Sequence, residues 1–304
     1  MPAAENKINR MPMEIIVAPS AGFCFGVKRA VNMAIDAAEQ CSPPEKLNTL
    51  GPIIHNPQVV KALEEKGVFS IDCVDDDDYD YNTLLIRSHG VKAEIMEKLK
   101  HRGLKIIDAT CPFVKKAQNY IKEAASKGYF IIMVGDKNHP EVQSVISFAD
   151  KNKFLVINNN ADLKNVPVSE KLAIISQTTQ DVSFYKRIIE EISKIAKNET
   201  LVFDTICDAT MIKQEESKII ASNVDVMIVV GGYNSANTNK LQNICKEIQK
   251  NTYHIETEDE VFPEWFANAG KVGITAGAST PDWIIERVLK RIHDIDGAYK
   301  KLSL

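Results

Sequence analysis

One pattern occurs three times along this 304-residue chain. In the clearest copy an apolar run at 15–17 leads into the glycine-flanked Cys24, and apolar residues follow at 27, 30, 31, 34, 35 and 38. That spacing is one face of a helix. The same order surrounds Cys111 and Cys207. The pattern therefore predicts a strand, a tight loop carrying a thiol, and a helix at each of these three cysteines.

Each copy continues with two more units. Between 28 and 31 residues after each cysteine, a strand ends in glycine with a polar residue four positions later, and these residues are His55, His139 and Ser235. A third strand then runs into a polar turn, in IRSHG at 86–90, ISQTT at 175–179 and ITAGAST at 274–280. Three copies of three units predict a threefold internal repeat, with domains at 1–104, 105–198 and 199–304.

The alternation of strands and helices predicts an α/β fold with parallel sheets. In open parallel sheets, ligands bind at the carboxyl ends of the strands, and every unit of the repeat places its polar residues there. If the three pseudo-three-fold-related domains pack around their axis with those ends facing inward, the polar residues line one central cavity.

The composition excludes several classes of protein. With 37 basic and 41 acidic residues the formal charge is −4, so the chain offers no basic field for nucleic acid or an anionic membrane. Residues 1–13 lack the apolar core of a secretory signal, no apolar run reaches the length of a membrane span, and we expect a cytoplasmic protein. Six cysteines without any CxxC indicate buried thiols or metal ligands.

The other three cysteines, Cys41, Cys73 and Cys245, fall outside the repeat and are expected to be incidental, with Cys245 in a helical core stretch. The acidic run 75–80 lacks the spacing of a calcium loop and is expected to be a solvated turn.

Three thiolates at matched junctions could hold zinc, an iron-sulfur cubane, or no metal. Zinc ligands usually lie close together in sequence, whereas these cysteines are 87 and 96 residues apart. A 4Fe-4S cubane normally takes four cysteines, so three would leave one iron open to a substrate oxygen. The spacing favours the cubane and leaves the other two readings open.

The remaining polar positions supply neutral or half-charged donors on loops that lead into helices. Such donors, together with helix N-termini, suit a diphosphate. Glu141 is the one carboxylate in the second units, and in a closed anionic cavity its pKa should rise so that it could carry a proton. The predicted diphosphate contacts are His55, His89, His139, Ser235, Asn237 and Ser279.

Nine ordered runs, among them GFCFGVKRAV, GPIIHNP, IRSHGV, DATCPFV, NHPEV and TAGASTPDW, resemble those of the 4-hydroxy-3-methylbut-2-enyl diphosphate reductase family from about residue 14 to 290. The resemblance implies a trefoil of three α/β domains around a 4Fe-4S cluster held by Cys24, Cys111 and Cys207. It implies reductive dehydroxylation of an allylic diphosphate to isopentenyl and dimethylallyl diphosphates, the last step of the methylerythritol phosphate pathway.

By the same resemblance, Thr178 would bond near the substrate hydroxyl, Glu141 would deliver protons, and His139 would join them in the catalytic set. Thr178 would also count among the substrate contacts, and a ferredoxin or flavodoxin would supply electrons. Two positions depart from the family pattern: Ala236 replaces a common serine, and Lys213 replaces a common arginine and so loses the forked geometry.

Two rival functions share parts of this pattern. A hydro-lyase with an open iron would remove water without net electrons, but such enzymes usually bind carboxylates with arginines, and only Arg87 adjoins a cavity motif. An iron-sulfur redox sensor would need an effector surface or a basic DNA-binding helix, and the sequence indicates neither.

Overall fold

The structure is a computed structural model that describes residues 12–41, 47–72 and 83–302. Within these ranges the chain forms twelve strands, nine α-helices and three short 3-10 helices. The strands are β1 Glu14–Val17, β2 Leu47–Leu50, β3 Val68–Ile71, β4 Thr83–Ile86, β5 Lys105–Asp108, β6 Phe130–Val134, β7 Phe154–Ile157, β8 Leu172–Ser176, β9 Thr200–Val202, β10 Val226–Val230, β11 Thr252–Ile255 and β12 Lys271–Ala276. The helices are α1 Phe25–Glu39, α2 Pro57–Glu64, α3 Ala93–His101, α4 Pro112–Ser126, α5 Pro140–Ile146, α6 Val182–Ile195, α7 Asp208–Ala221, α8 Ala236–Ile248 and α9 Asp282–Leu302. The 3-10 helices are Asn160–Asn165, Glu258–Glu260 and Pro263–Phe266.

The described strands form three four-stranded sheets with the same strand order. These orders are β1-β12-β10-β11, β5-β4-β2-β3 and β9-β8-β6-β7. Every strand pair is parallel. The prediction of an α/β protein with three repeated parallel sheets is confirmed, and the arrangement of the three sheets about a common axis stays a prediction.

The strand in front of each repeat cysteine pairs with the preceding copy. β5, which leads to Cys111, is hydrogen-bonded to β4 of the first copy, and β9, which leads to Cys207, to β8 of the second. β1, which leads to Cys24, pairs with β12 near the other end of the chain. The sheets are therefore offset by one strand from the repeats, and the domain boundaries at 104 and 198 remain a prediction about the repeats.

Each sheet also contains an edge strand outside the three predicted units. These strands are β3, β7 and β11, which extend the sheets beyond β2, β6 and β10. They are short and only partly buried, so their apolar signal is weak.

The central strands are covered on both faces. All five residues of β8 and of β10 are buried, as expected for parallel strands between two helical layers. In the third sheet, one face packs against α4 and α5 through Val114, Ala117 and Val142, and the other packs against α6 through Ile188 and Ile192. Burial on both faces fixes the strand ends, where the functional loops begin.

Polar residues at the strand-to-helix junctions cap the helices that follow. Asn56 accepts a hydrogen bond from Val59 N at 3.1 Å at the start of α2, and Ser235 accepts one from Thr238 N at 3.3 Å at the start of α8. A helix leaves its first N–H groups without intrahelical partners, so such junctions favour short polar side chains. The same requirement brings hydrogen-bonding groups to the carboxyl edge of each sheet.

The chain divides into two compact units. One comprises the described residues up to Phe23 together with those from Ile212 onward, and it contains the sheet of β1, β10, β11 and β12. The other is Cys24–Met211, which contains the remaining two sheets. Among the described residues, no helix is both long enough and apolar enough to cross a membrane.

Candidate active site

All three repeat cysteines lie in the Cys24–Met211 unit, each directly before a helix. Cys24 precedes α1 and its sulfur accepts a hydrogen bond from Val27 N at 3.5 Å. Cys111 precedes α4, and Cys207 precedes α7 with its sulfur 3.1 Å from Thr210 Oγ1. The predicted order of strand, thiol loop and helix is present at each position. Helix N-termini carry partial positive charge, which favours thiolates there.

The sulfurs of Cys24 and Cys111 approach one point beside Gly26. A Cβ atom added at Gly26 would lie 2.6 Å from Cys111 Sγ and 4.0 Å from Cys24 Sγ. The first contact is shorter than real Cβ contacts, so glycine is required here to leave space for the sulfur. The absent side chain keeps the space between the two thiols clear.

Burial makes these thiols costly to ionise by themselves. It raises the pKa of Cys207 to about 11 and also raises the pKa of Cys111, and nearby negative charge on Cys24 and Glu141 raises both further. Local N–H and hydroxyl donors only partly offset this burial. Thiols grouped in this way are stabilised as thiolates when a metal centre supplies the positive charge.

Glu141 and Thr178 form a fully buried hydrogen-bonded pair. The backbone N–H of Thr178 donates to Glu141 Oε1 at 2.6 Å, and the Thr178 hydroxyl donates to Oε2 at 2.8 Å. Glu141 is 2% exposed and Thr178 5%. Both carboxylate oxygens are thereby fixed by one residue from the end of a neighbouring strand.

The protonation state of Glu141 is poised near neutrality. Burial raises its pKa to about 7, although the two hydrogen bonds from Thr178 favour the charged form. When Glu141 is protonated, its O–H can donate to the Thr178 hydroxyl, which then becomes free to donate elsewhere. This pair can therefore hold and pass on a proton.

Three histidine rings lie against one another in the same unit. The ring centroids of His55 and His89 are 4.7 Å apart, those of His89 and His139 are 5.2 Å apart, and those of His55 and His139 are 5.6 Å apart. One ring nitrogen from each lies within 4.8 Å of the others, a spacing that could also hold a transition-metal ion. The sequence placed these histidines at matched strand ends, and the structure brings them together.

The imidazoles are neutral in this arrangement. Burial, mutual repulsion and Arg87 lower the pKa of His139 to about 4 and lower the pKa of His89 well below its ordinary value. Burial and Arg87 also lower the pKa of His55. His139 Nδ1 accepts a hydrogen bond from Glu141 N at 3.2 Å, so its Nε2 carries the ring proton as a donor. A bound anion would raise these pKa values and recruit protons to the rings.

Arg87 is a member of this group to which the sequence assigned no role. Its guanidinium lowers the pKa of all three histidines, and its Nε is buried without a hydrogen-bond partner among the described residues. Gly51, with φ +70°, allows the close approach, because a Cβ there would lie 2.4 Å from Arg87 Nη1. The signal in the sequence is an arginine at the end of a buried strand, two positions before His89.

The predicted contacts Ser235, Asn237 and Ser279 lie in the other unit. Ser279 Oγ donates to Ser235 Oγ at 3.4 Å, and both polar side-chain atoms of Asn237 are buried without a partner among the described residues. These groups form one buried polar cluster at the start of α8. Whether this cluster joins the histidines on one ligand stays a prediction.

The departures and the off-repeat cysteines have local explanations. Buried Lys213 donates from Nζ to the backbone oxygens of Ser20, Gly22 and Ala276, a role that suits a compact ammonium. Cys245 is fully buried in the core, as expected, and partly buried Cys41 bonds to its own helix. Cys73 and the acidic run 75–80 lie outside the described residues.

A family model described as "LytB protein" matches residues 15–293 of the chain. A 4-hydroxy-3-methylbut-2-enyl diphosphate reductase from Syntrophotalea carbinolica is 50% identical over 283 residues, covering 93% of this chain and 99% of that protein. The enzyme of the same name from Geobacter sulfurreducens is 46% identical over 288 residues, covering 95% of this chain and 100% of that protein.

Two solved structures are also similar. One, of (E)-4-hydroxy-3-methyl-but-2-enyl diphosphate reductase, described as the terminal enzyme of the non-mevalonate pathway, is 46% identical, with a TM-score of 0.67 and coverage of 93% of this chain and 99% of that one. The other, the E-1-hydroxy-2-methyl-but-2-enyl-4-diphosphate reductase from Plasmodium falciparum, is 28% identical, with a TM-score of 0.84 and coverage of 92% and 88%.

Proposed function

The chain belongs to the LytB protein family, and we propose that it reduces 4-hydroxy-3-methylbut-2-enyl diphosphate to isopentenyl and dimethylallyl diphosphates. The enzyme is an oxidoreductase of the non-mevalonate route to isoprenoids, like the relatives that cover nearly its whole length. The observation that carries the proposal is the grouping of three thiols, a proton-holding carboxyl and three neutral imidazoles in Cys24–Met211.

Cys24, Cys111 and Cys207 are the residues that would hold a 4Fe-4S cluster. Two features fit this role: the space that Gly26 leaves beside two of the sulfurs, and the helix that begins immediately after each thiol. The cluster supplies electrons and, at an iron without a cysteine ligand, a Lewis acid for the substrate hydroxyl. The histidine trio would then be left for the anionic end of the substrate.

In the net reaction, the allylic C–O bond breaks, the hydroxyl leaves as water, and a C–H bond forms. Two electrons and two protons are consumed. The protonated Glu141 carboxyl can give its proton through the Thr178 hydroxyl to the departing oxygen, because Thr178 Oγ1 lies 2.8 Å from Glu141 Oε2. The backbone bond from Thr178 holds the carboxyl in place throughout.

The diphosphate end needs positive charge as well as donors. The histidines are neutral in the empty site, so the permanent charge beside them is the guanidinium of Arg87, which remains protonated in proteins. His139 Nε2–H and the buried Nε–H of Arg87 are donors of the kind that phosphate oxygens accept. We therefore add Arg87 to the proposed diphosphate contacts His55, His89 and His139, with Ser235, Asn237 and Ser279 kept in the set.

Replacing Arg87 tests the diphosphate site. We expect Arg87→Gln to weaken binding of inorganic diphosphate and of product by about ten- to a hundredfold, since losing a charge-assisted hydrogen bond costs roughly 1.5–3 kcal/mol. Arg87→Lys should lose less, because it keeps the charge but not the planar fork. Isothermal titration with each variant measures this, and His55→Ala is a second arm. Unchanged dissociation constants in Arg87→Gln and His55→Ala would place the anion elsewhere.

The stoichiometry of electrons tests the proposed function against the hydro-lyase alternative. After anaerobic reconstitution with iron and sulfide, the enzyme should oxidise two equivalents of reduced methyl viologen for each substrate converted. Product analysis should find isopentenyl and dimethylallyl diphosphates. Loss of the substrate hydroxyl without viologen oxidation would support a hydro-lyase and contradict the proposal. Mössbauer spectra of the reconstituted enzyme would show whether one iron differs from the other three.

A further inference from the structure

The first turns of α1 and α4 form a surface directly beside two of the proposed cluster ligands. Phe25, the residue after Cys24, is 67% exposed although it is a large aromatic residue. Pro112, the residue after Cys111, is also exposed. Cys24 and Cys111 themselves are only partly buried. This part of the molecule therefore brings solvent close to two ligands at once.

The surface around Phe25 is basic. Lys28 and Arg29 follow Phe25 on the same face of α1, three and four residues on. Arg29 and Lys116 of α4 line a hollow of about 430 Å³, and Arg29 Nη1 donates to the backbone oxygen of Thr110 at 3.4 Å, which joins α1 to the loop of Cys111. We call Phe25, Lys28, Arg29 and Lys116 the Phe25 patch.

The positive charge of the patch is not neutralised locally. Within the described part of the chain, Lys28, Arg29 and Lys116 make no ion pair. Lys115, which also lines the hollow, is paired with Asp108 at 2.7 Å. The one acidic residue of the hollow, Glu123, is paired with Lys127 at 2.6 Å. The patch is therefore a net positive area on a chain whose formal charge is −4.

We propose that the Phe25 patch is the docking surface for a small acidic protein that carries single electrons on an iron-sulfur or flavin group. This rests on the proposed function, in which two electrons must reach the cluster from outside the substrate. The reduced carrier binds, passes one electron to the cluster and leaves oxidised, and a second carrier supplies the other electron.

Charge and position both support this partner. An acidic carrier is repelled by the net charge of the enzyme and attracted at the patch, so the charges orient it as it approaches. The exposed ring of Phe25 supplies apolar contact at the centre of such an interface. Because Phe25 and Pro112 adjoin Cys24 and Cys111 in the chain, a carrier seated here has the shortest covalent path to the ligands.

The test uses reconstituted holoenzyme with two donors, a reduced acidic 4Fe-4S ferredoxin and reduced methyl viologen, which needs no docking surface. We expect Lys28→Glu combined with Lys116→Glu to lower kcat/KM for ferredoxin at least tenfold at low salt and to flatten its dependence on ionic strength. Viologen-driven turnover should stay within about twofold of the unsubstituted enzyme. Phe25→Ala should lower ferredoxin turnover while leaving the salt dependence in place.

A matched control places the same charge change elsewhere in the unit. Lys164→Glu with Lys186→Glu alters two exposed lysines on the face of the third sheet opposite α4. This double variant should retain ferredoxin kinetics. Equal effects of the two double variants, or an unchanged ferredoxin kcat/KM in the patch variant, would overturn the proposal. So would loss of viologen turnover in the patch variant.

Two further results separate other readings. If Phe25→Ala changes the oligomeric state of the enzyme alone, measured by light scattering, the patch is a contact between copies and the docking proposal is wrong. Absence of viologen turnover in the unsubstituted holoenzyme would contradict the proposed function. Normal viologen turnover with an unaltered ferredoxin response in the patch variant would contradict the docking surface alone.

Discussion

Serine in place of Cys24, Cys111 or Cys207 is expected to remove both the cluster and the activity. Each change deletes one of three thiolate ligands. Changing a group that merely supports a metal ligand costs about 10- to 100-fold in metal affinity or activity, so loss of a ligand itself should lower turnover by at least ~10²-fold. Iron and sulfide content after anaerobic reconstitution, together with viologen-driven turnover, measure both effects.

The serine variants should still fold. Cys24 caps α1 by accepting a hydrogen bond from Val27 N, and serine is a better helix cap than most residues. Circular dichroism and thermal unfolding of the unreconstituted proteins should therefore resemble those of the original chain. This separates loss of the ligand from loss of the fold.

The remaining cysteines provide the controls. Cys41→Ser and Cys245→Ala should keep cluster content and turnover, since Cys41 bonds only to its own helix and Cys245 lies in an apolar core. Cys245→Ala is preferred to serine because it adds no hydroxyl to the core. Cys73→Ser completes the series. Full activity in Cys111→Ser, or cluster loss in both Cys41→Ser and Cys73→Ser, would contradict the assignment.

Glutamine in place of Glu141 is expected to lower turnover by at least the ~10²-fold that positioned proton transfer typically contributes. Glutamine has nearly the same size, and its carbonyl oxygen can still accept a bond from Thr178, but it cannot release a proton. Cluster content and substrate affinity should therefore stay near normal. Steady-state reduction by methyl viologen and spectroscopic titration of substrate measure these quantities separately.

The pH dependence gives an independent test of the same residue. The acid form of Glu141 is the active one, and its pKa is raised to about 7, so turnover should fall as the pH rises through that value. A bound diphosphate is anionic and would move this fall to higher pH, not lower. The Glu141→Gln variant should lack this dependence.

Thr178 offers a matched pair of variants. Thr178→Ser keeps the hydroxyl that lies 2.8 Å from Glu141 and should keep most of the turnover, whereas Thr178→Val removes the relay. If Glu141→Gln retains turnover within a few-fold, the carboxyl only positions its neighbours and the proton comes from the diphosphate of the substrate. In that case Thr178→Val would show whether the hydroxyl still passes it on.

The amino-acid sequence by itself determined the repeat and the positions of the chemical groups within it. Apolar runs followed by helical spacing marked the junctions at Cys24, Cys111 and Cys207, and the same logic placed His55 and His139 at strand ends. Such patterns report the local surroundings of one strand and one helix, and helix capping demands polar residues at their junctions. The sequence could therefore identify the thiols and imidazoles as matched sets.

Only the tertiary structure decided which strands pair and which protonation states result. β1 pairs with β12 through residues more than 250 positions apart, as in the pair Glu14 and Lys271, and nothing in a local pattern encodes that hydrogen bonding. The neutrality of the histidines and the raised pKa of Glu141 come from desolvation, which depends on every element packed around a group. Arg87 shows the same division, because its position at a strand end is visible in the sequence while its approach to three imidazoles is a property of the folded chain alone.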